Sequence, residues 1–195
     1  MNFFVKKSSE KVKCCRLQNP PFTVTISVNK IERGLEMKLR NMTGIYLSCE
    51  GKMLLLYRQN GRVVNDQWVA SAGGHFEADE LNVPRKCVLR ELNEELGLTE
   101  DDIENLTMRY IGLRNINNEK RQNYYFFADL KEYREFTSNE GIAKWIELDK
   151  VTELDMPLTA KYIMEHYMKT GRFDDELYAA VCDGSGYQFV HLREM

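Results

Sequence analysis

Glu91, Glu94 and Glu95 stand within little more than one helical turn of the stretch PRKCVLRELNEELGL (84–98). Residues three and four apart share a helix face, so the three carboxylates are expected to project together. Like charges so close raise one another's pKa and cost stability unless cations neutralise them. Hard divalent ions such as Mg²⁺ prefer oxygen ligands and usually retain waters that phosphate oxygens can displace. Upstream, Gly73-Gly74 lets the backbone pass close to such a site and offer a carbonyl ligand. A cation held there would stabilise charge developing on a phosphate ester and activate an attacking water. Taken alone, an E-x-x-E-E run is most often a solvated helix face.

The elements that must position these groups follow from periodicity. Val88, Leu89, Leu92 and Leu96 form an apolar stripe, which predicts a helix over 84–96. Pro84 suits its first turn and Gly97 its exit. Ahead of it, MTGIYLSC (42–49) and KMLLLYR (52–58) read as strands joined by a tight turn at Glu50-Gly51, and DQWVASAGG as a short strand running into glycines. Beyond it, 106–115 and 121–130 read as a strand pair, 143–148 as another strand and 157–171 as a second helix. LYAAVC and YQFVHL read as a terminal hairpin. Strands and helices interspersed without strict alternation predict an α/β fold with a mixed sheet covered by helices on both faces.

At 195 residues the chain suits one well-packed domain, with or without an appendage. A net charge of −3 gives no global basic field, so polymeric nucleic acid is not an expected partner, whereas a mononucleotide held through metal ions is compatible. The longest apolar runs, such as MLLLY (53–57), are strand-sized and too short to span a membrane. Five cysteines show neither a C-x-x-C pair nor zinc spacing, and an odd count fits a reducing cytoplasm. Cys49, Cys87 and Cys182 are expected to be small buried hydrophobes.

Residues 1–36 read as a loosely attached extension and 37–195 as the domain. The extension is polar, basic and interrupted by Pro20-Pro21, although FTVTISV (22–28) alternates like a strand. Glu32-Arg33-Gly34 can be encoded by a purine-rich run like a bacterial ribosome-binding site, which makes Met37 a candidate native start.

RELNEELGL matches R-E-U-x-E-E-x-G-U, with U a bulky aliphatic, at all seven defined positions. At average residue usage that has a probability below about one in a million per starting position. With GGHFEADE upstream, it resembles the Nudix box, the signature of the Nudix hydrolases. The resemblance implies an α/β/α sandwich with a loop–helix–loop catalytic motif. It also implies hydrolysis of a nucleoside diphosphate linked to another moiety, using Mg²⁺ or Mn²⁺ and water attack on phosphorus. Glu91, Glu94 and Glu95 are thereby implied to be metal-binding carboxylates, with Glu91 the first candidate to help deprotonate the water. Arg90 corresponds to the arginine that braces helix and loop through an ion pair, and Gly73 to the residue whose carbonyl joins the metal shell. A further carboxylate comes from a later loop in many family members; Glu140, in SNEGIAKW, is positioned for it, and a plain loop glutamate is the equal alternative.

One departure stands out. The full box reads G-x5-E-x7-R-E-U-x-E-E-x-G-U, and counting from Gly74 its first glutamate falls on Glu80. However, nine residues rather than seven separate Glu80 from Arg90, so Glu80, Glu77 and Asp79 are alternative occupants of that upstream acidic position. Trp68 is read as lining the cleft or packing beneath it, His75 as an exposed residue beside the glycines, and His166 and His191 as ordinary packing. Tyr124 to Phe127 should send one pair of rings to each sheet face.

Outside the box, the layout resembles the compact bacterial MutT-like branch. The leading expectation is therefore cleavage of a nucleoside triphosphate, of the 8-oxo-dGTP type, to monophosphate and pyrophosphate. Leu158-Thr159 stand where paired aspartates read the oxidised purine in animal relatives. Alternatives are an enzyme for a dinucleotide polyphosphate or nucleotide sugar, and a non-catalytic nucleotide-binding module.

Overall fold

The computed structural model describes residues 38–59, 65–138, 140–182 and 186–193. The expectations for residues 1–36, for FTVTISV and for Met37 lie outside the described residues.

The first hairpin joins β1 (Lys38–Cys49) to β2 (Lys52–Arg58). Its turn residues Glu50 and Gly51 both have positive φ, 48° and 77°, which is the geometry of a type I′ turn whose twist matches the strands. β3 (Gln67–Val69) follows, then α1 (Pro84–Leu96), β4 (Ile103–Ile116) and β5 (Glu119–Leu130). Asn117 and Asn118, at φ 49° and 63°, turn the β4–β5 hairpin; asparagine tolerates this left-handed conformation better than most residues. The chain closes with β6 (Ile142–Glu147), α2 (Leu158–Lys169), β7 (Leu177–Cys182) and β8 (Tyr187–Leu192).

The strands form a sheet in the order β3-β2-β1-β5-β4-β7-β8, with β6 added to β2. Two pairings, β1–β5 and β4–β7, are parallel and the rest antiparallel, so the sheet is mixed as expected. β1 runs four residues further upstream than its sequence pattern indicated, because Lys38–Asn41 find partners on β5 despite their polar character. β4 and β5 are likewise longer than expected, meeting at the tight asparagine turn.

Two cores lie on opposite sheet faces, as the α/β/α layering requires. Alternation along β5 divides them: Phe126 packs with Ile45, Leu47, Val88 and Leu92 under α1, while Tyr125 and Phe127 pack with Tyr46, Ile163 and Met164 under α2. Cys87 is buried in α1, whereas Cys49 and Cys182 are only partly buried, and all three thiols are free. Among the described residues no helix is long and apolar enough to cross a membrane.

Candidate active site

α1 starts at Pro84 and stops at Gly97, whose φ of 66° is left-handed and whose N–H donates to the Asn93 carbonyl at 2.9 Å. Cys87, Val88, Glu91 and Leu92 are its buried residues. That rotation about the helix axis decides the fate of the three glutamates. Glu91 is carried to the inner border of the helix and the Glu95 side chain is 12% exposed, whereas Glu94 is 56% exposed. The expectation that all three project together is therefore only partly met: Glu91 and Glu95, four residues apart, share the inward face, and Glu94 flanks it.

The segment after β3 docks along the first half of β1. The Ile45 N–H donates to the Ala72 carbonyl at 2.9 Å and the Thr43 N–H to the Gly74 carbonyl at 2.8 Å. This approach leaves no room for side chains. A Cβ on Gly73 would run into the Thr43 carbonyl and Gly44, and one on Gly74 would overlap the Glu91 carboxylate. The two glycines thus open the space that Glu91 occupies, and the Gly73 N–H donates to Glu95 at 3.2 Å.

Arg90 ties loop to helix. Its Nε and Nη2 grip both oxygens of Glu80 at 2.9 and 3.0 Å, Nη1 reaches Glu91 and Glu94 at 2.9 Å each, and Nη2 also donates to the His75 carbonyl at 3.0 Å. Glu80 is 1% exposed and accepts the Glu77 N–H as well. Hydrogen bonds from Arg90 hold its pKa at about 2, far below the ordinary value of 4.5. Glu80, rather than Glu77 or Asp79, is thus the upstream acid at this arginine; Asp79 pairs with Lys86 at the surface. The two additional residues are absorbed by a turn before the helix, where Leu81 and Val83 are exposed.

Sequence reasoning missed Arg58, which ends an apolar strand and gives no motif signal. Its guanidinium joins Glu140 at 3.0 Å to Glu95 at 4.0 Å, so the structure does bring the loop residue Glu140 to the same site. Trp68 packs beneath, against Tyr57 and the core on the α2 side. His75 sits on the rim, where Arg40 Nε donates to its Nε2 at 2.6 Å; burial and that neighbouring cation push its pKa down. His166 is held by Tyr110 and stacks on Phe189, and His191 pairs with Glu176; both are away from the glutamates.

Glu91, Glu95, Gly73, Gly74, Arg58 and Glu140 border an open cleft of about 910 Å³ on the sheet face beside the start of α2. Burial raises the pKa of Glu91 despite Arg90, and raises that of Glu95 to about 7 despite the Gly73 N–H and Arg58. The protein's own cations therefore leave these two carboxylates short of positive charge. Among the described residues no three acidic, histidine or cysteine side chains already converge as a metal cage, since arginines occupy the carboxylates instead. The donor set, oxygen-only and facing a cleft, still fits a hard divalent ion better than a soft one.

A family model described as the NUDIX domain matches residues 37–167. Among solved structures, the chain is similar to a NUDIX hydrolase from Nitrosomonas europaea, with TM-score 0.60, 15% identity, and coverage of 74% of this chain and 79% of that one. It is also similar to the mutator MutT protein from Bacillus halodurans (TM-score 0.52, 24% identity, 77% and 94% covered). A third likeness is to an Ap4A hydrolase binary complex from C. elegans (TM-score 0.53, 16% identity, 67% and 96% covered). At these identities the likeness speaks for the fold. No curated protein matches the chain significantly.

Proposed function

The chain belongs to the Nudix hydrolases, and on that premise we propose that it cleaves the phosphoric anhydride of a nucleoside di- or triphosphate derivative with Mg²⁺ or Mn²⁺. The simplest such substrate is a nucleoside triphosphate, in the MutT manner and including the 8-oxo-dGTP type, released as monophosphate and pyrophosphate. The observation that carries the reading is the pair of Glu91, buried, and Glu95, partly buried, against Gly73-Gly74 at an open cleft with raised pKa values. Carboxylates in that state favour a cation that the protein itself does not supply.

In this reading Glu91 and Glu95, with Glu94 at the flank and the Gly73 carbonyl behind, hold the ion, and Glu140 completes the set across Arg58. The bound ion supplies charge stabilisation at phosphorus and lowers the pKa of water. Arg90 keeps the loop and the helix in register, so that the glycines cannot drift from the carboxylates. Arg58 has a buried Nε without a partner among the described residues, and a phosphate oxygen in the cleft would satisfy it while drawing the guanidinium from Glu95.

The test is phosphate and pyrophosphate release with Mg²⁺ across ordinary and 8-oxo triphosphates, ADP-ribose, a diadenosine polyphosphate and a nucleotide sugar, run beside Glu91→Gln. Turnover of at least one substrate, lost in the variant, is expected. Tight binding without turnover of any would make this a nucleotide-binding module instead.

A further inference from the structure

Three arginines lie side by side across the floor of the same cleft. Arg40 on β1 is paired in register with Arg121 on β5, and Arg121 with Arg114 on β4. Directly opposed residues on neighbouring strands point to one face, and like charges in that position destabilise the sheet. All three line the cleft. One row further out, Lys38 lies opposite Glu119.

Compensation for this charge is sparse. Arg121 donates to Glu119 at 2.5 Å. Arg40 donates to the ring nitrogen of His75, which must be neutral there to accept, and Arg114 reaches only the Thr159 hydroxyl at 3.3 Å. Among the described residues, Arg40 and Arg114 have no carboxylate partner, so one acid serves three guanidiniums. Local rules broken without compensation inside the protein mark places where function supplies it.

We infer that this row receives a second phosphate group carried by the substrate at the end remote from the anhydride that is cut. The inference rests on the hydrolytic reading above and narrows its substrate class from a simple triphosphate to a nucleoside diphosphate derivative that bears a further phosphate. Arg40 lies three residues along β1 from Thr43, which holds Gly74, so the row is roughly 10 Å from the glycines along the strand. Its centre lies one further strand away, about 5 Å sideways. Arg40 itself turns back to His75 beside the glycines, but Arg114 lies two strands across, about 10 Å sideways. A triphosphate at the glycines therefore meets only the near end of the row, whereas a phosphate attached across a sugar reaches its centre. Between the two positions, in the next row inward, stands Asn123, opposite Met42 and Gly112. Its amide oxygen is buried with no hydrogen-bond partner among the described residues. A hydroxyl or N–H of the moiety linking the two phosphates would fill that vacancy. Guanidiniums suit a phosphate dianion because their donors form a planar fork that matches it.

The experiment is calorimetric titration of the full chain, in Mg²⁺, with adenosine 5′-monophosphate and with the 2′,5′- and 3′,5′-bisphosphates of adenosine. None of these contains an anhydride, so binding is read apart from hydrolysis. One of the bisphosphates should bind at least about tenfold more tightly than the monophosphate, the scale of one good charge-assisted contact. Arg114→Gln, and independently Arg40→Gln, should narrow that gap to less than about threefold while leaving monophosphate affinity within a factor of about two. Thermal melting checks folding, and each substitution should melt no lower than the parent because it relieves repulsion. Equal affinity for mono- and bisphosphates, or a gap that survives both substitutions, overturns the inference. If bisphosphate preference is found but no anhydride is hydrolysed, the arginine row stands and the hydrolytic reading falls. With turnover, ADP-ribose 2′-phosphate should be preferred over ADP-ribose through KM rather than kcat.

Discussion

Arg90 and Arg109 are both guanidiniums drawn out of water and gripped by several acceptors, yet they are organised in opposite senses. Around Arg90 stand three carboxylates, Glu80, Glu91 and Glu94, beside an open cleft. Arg109 instead spends much of its donor capacity on main chain. Its Nη2 donates to the Gly171 carbonyl at 2.5 Å, to the Asp174 carbonyl and to the Asp174 carboxylate at 2.5 Å. Asp174 is itself pinned by the Glu176 N–H and the Tyr178 hydroxyl. A register shift between Met108 and Tyr110 turns Arg109 towards the turn that follows α2, which is what a bulge does to a side chain. An arginine that spans two main-chain carbonyls and a pinned carboxylate, even with its Nε left unpartnered among the described residues, is a clasp between elements. An arginine outnumbered by carboxylates at a cleft is part of a site that expects another cation.

Removing each partner in turn separates the two arginines. Arg109→Met should cost about 1.5–3 kcal/mol, the penalty for leaving buried carbonyls and a partly buried carboxylate without their charged donor. Chemical denaturation reads the loss, and kcat of the folded enzyme below the lowered melting point should be unchanged. A variant as stable as the parent would abolish the distinction. Glu91→Gln and Glu95→Gln should each lower kcat by at least about a hundredfold, on the scale of lost charge stabilisation at the reacting centre, without loss of secondary structure. Glu94→Gln should lose activity too, but less, since that side chain is exposed and reaches the site through Arg90. If Glu94→Gln were the most damaging of the three, the ranking by burial would be wrong.

Two smaller effects sharpen the contrast through pH. Glu80 has a depressed pKa in the folded protein, so its stabilisation is present above 4.5 and is lost as pH falls towards about 2. Glu80→Gln should therefore melt lower than the parent at pH 7, by an amount near 2 kcal/mol for charge-assisted hydrogen bonds. The deficit should shrink between pH 4.5 and 2. Glu95 has the opposite sign. Its pKa rises to about 7, so its charged form costs stability above that pH, and the cost vanishes below 4.5. Without added metal, Glu95→Gln should melt higher than the parent at pH 8 and equal to it at pH 4. Adding Mg²⁺ should stabilise the parent more than the variant, because a ligand that binds only the folded state raises stability.

Much of the fold was legible because local chemistry and global pattern agree. Pro84, Gly97 and the stripe between them set α1 without reference to the rest of the chain. Glu50-Gly51 announced its turn, and alternation along Tyr124–Phe127 separated the two cores. The glutamates were legible as a group from the box. Their inequality was not, since helical spacing says which residues are neighbours but not how the helix is rotated against Ile45 and Phe126. Glu80 stayed ambiguous because the extra residues could belong to loop or helix; its pair with Arg90 decides it, and the exposed turn at Leu81 and Val83 shows where the extra residues go. The arginine row was invisible for a different reason. Arg40, Arg114 and Arg121 become neighbours only through the register of a hairpin and of a parallel pairing, and sequence alone specifies neither.

That parallel pairing has a kinetic consequence. β4 and β5 are joined by a two-residue turn, so Arg114 meets Arg121 through the fast, local closure of a hairpin. β1 must find β5 across roughly eighty intervening residues, a non-local contact whose loop-closure entropy is met before any pairing rewards it. The cleft floor is therefore expected to assemble in two stages, half early and half late. Substitutions on β1 that weaken this pairing should then act mainly by speeding unfolding, whereas weakening the β4–β5 hairpin should slow refolding.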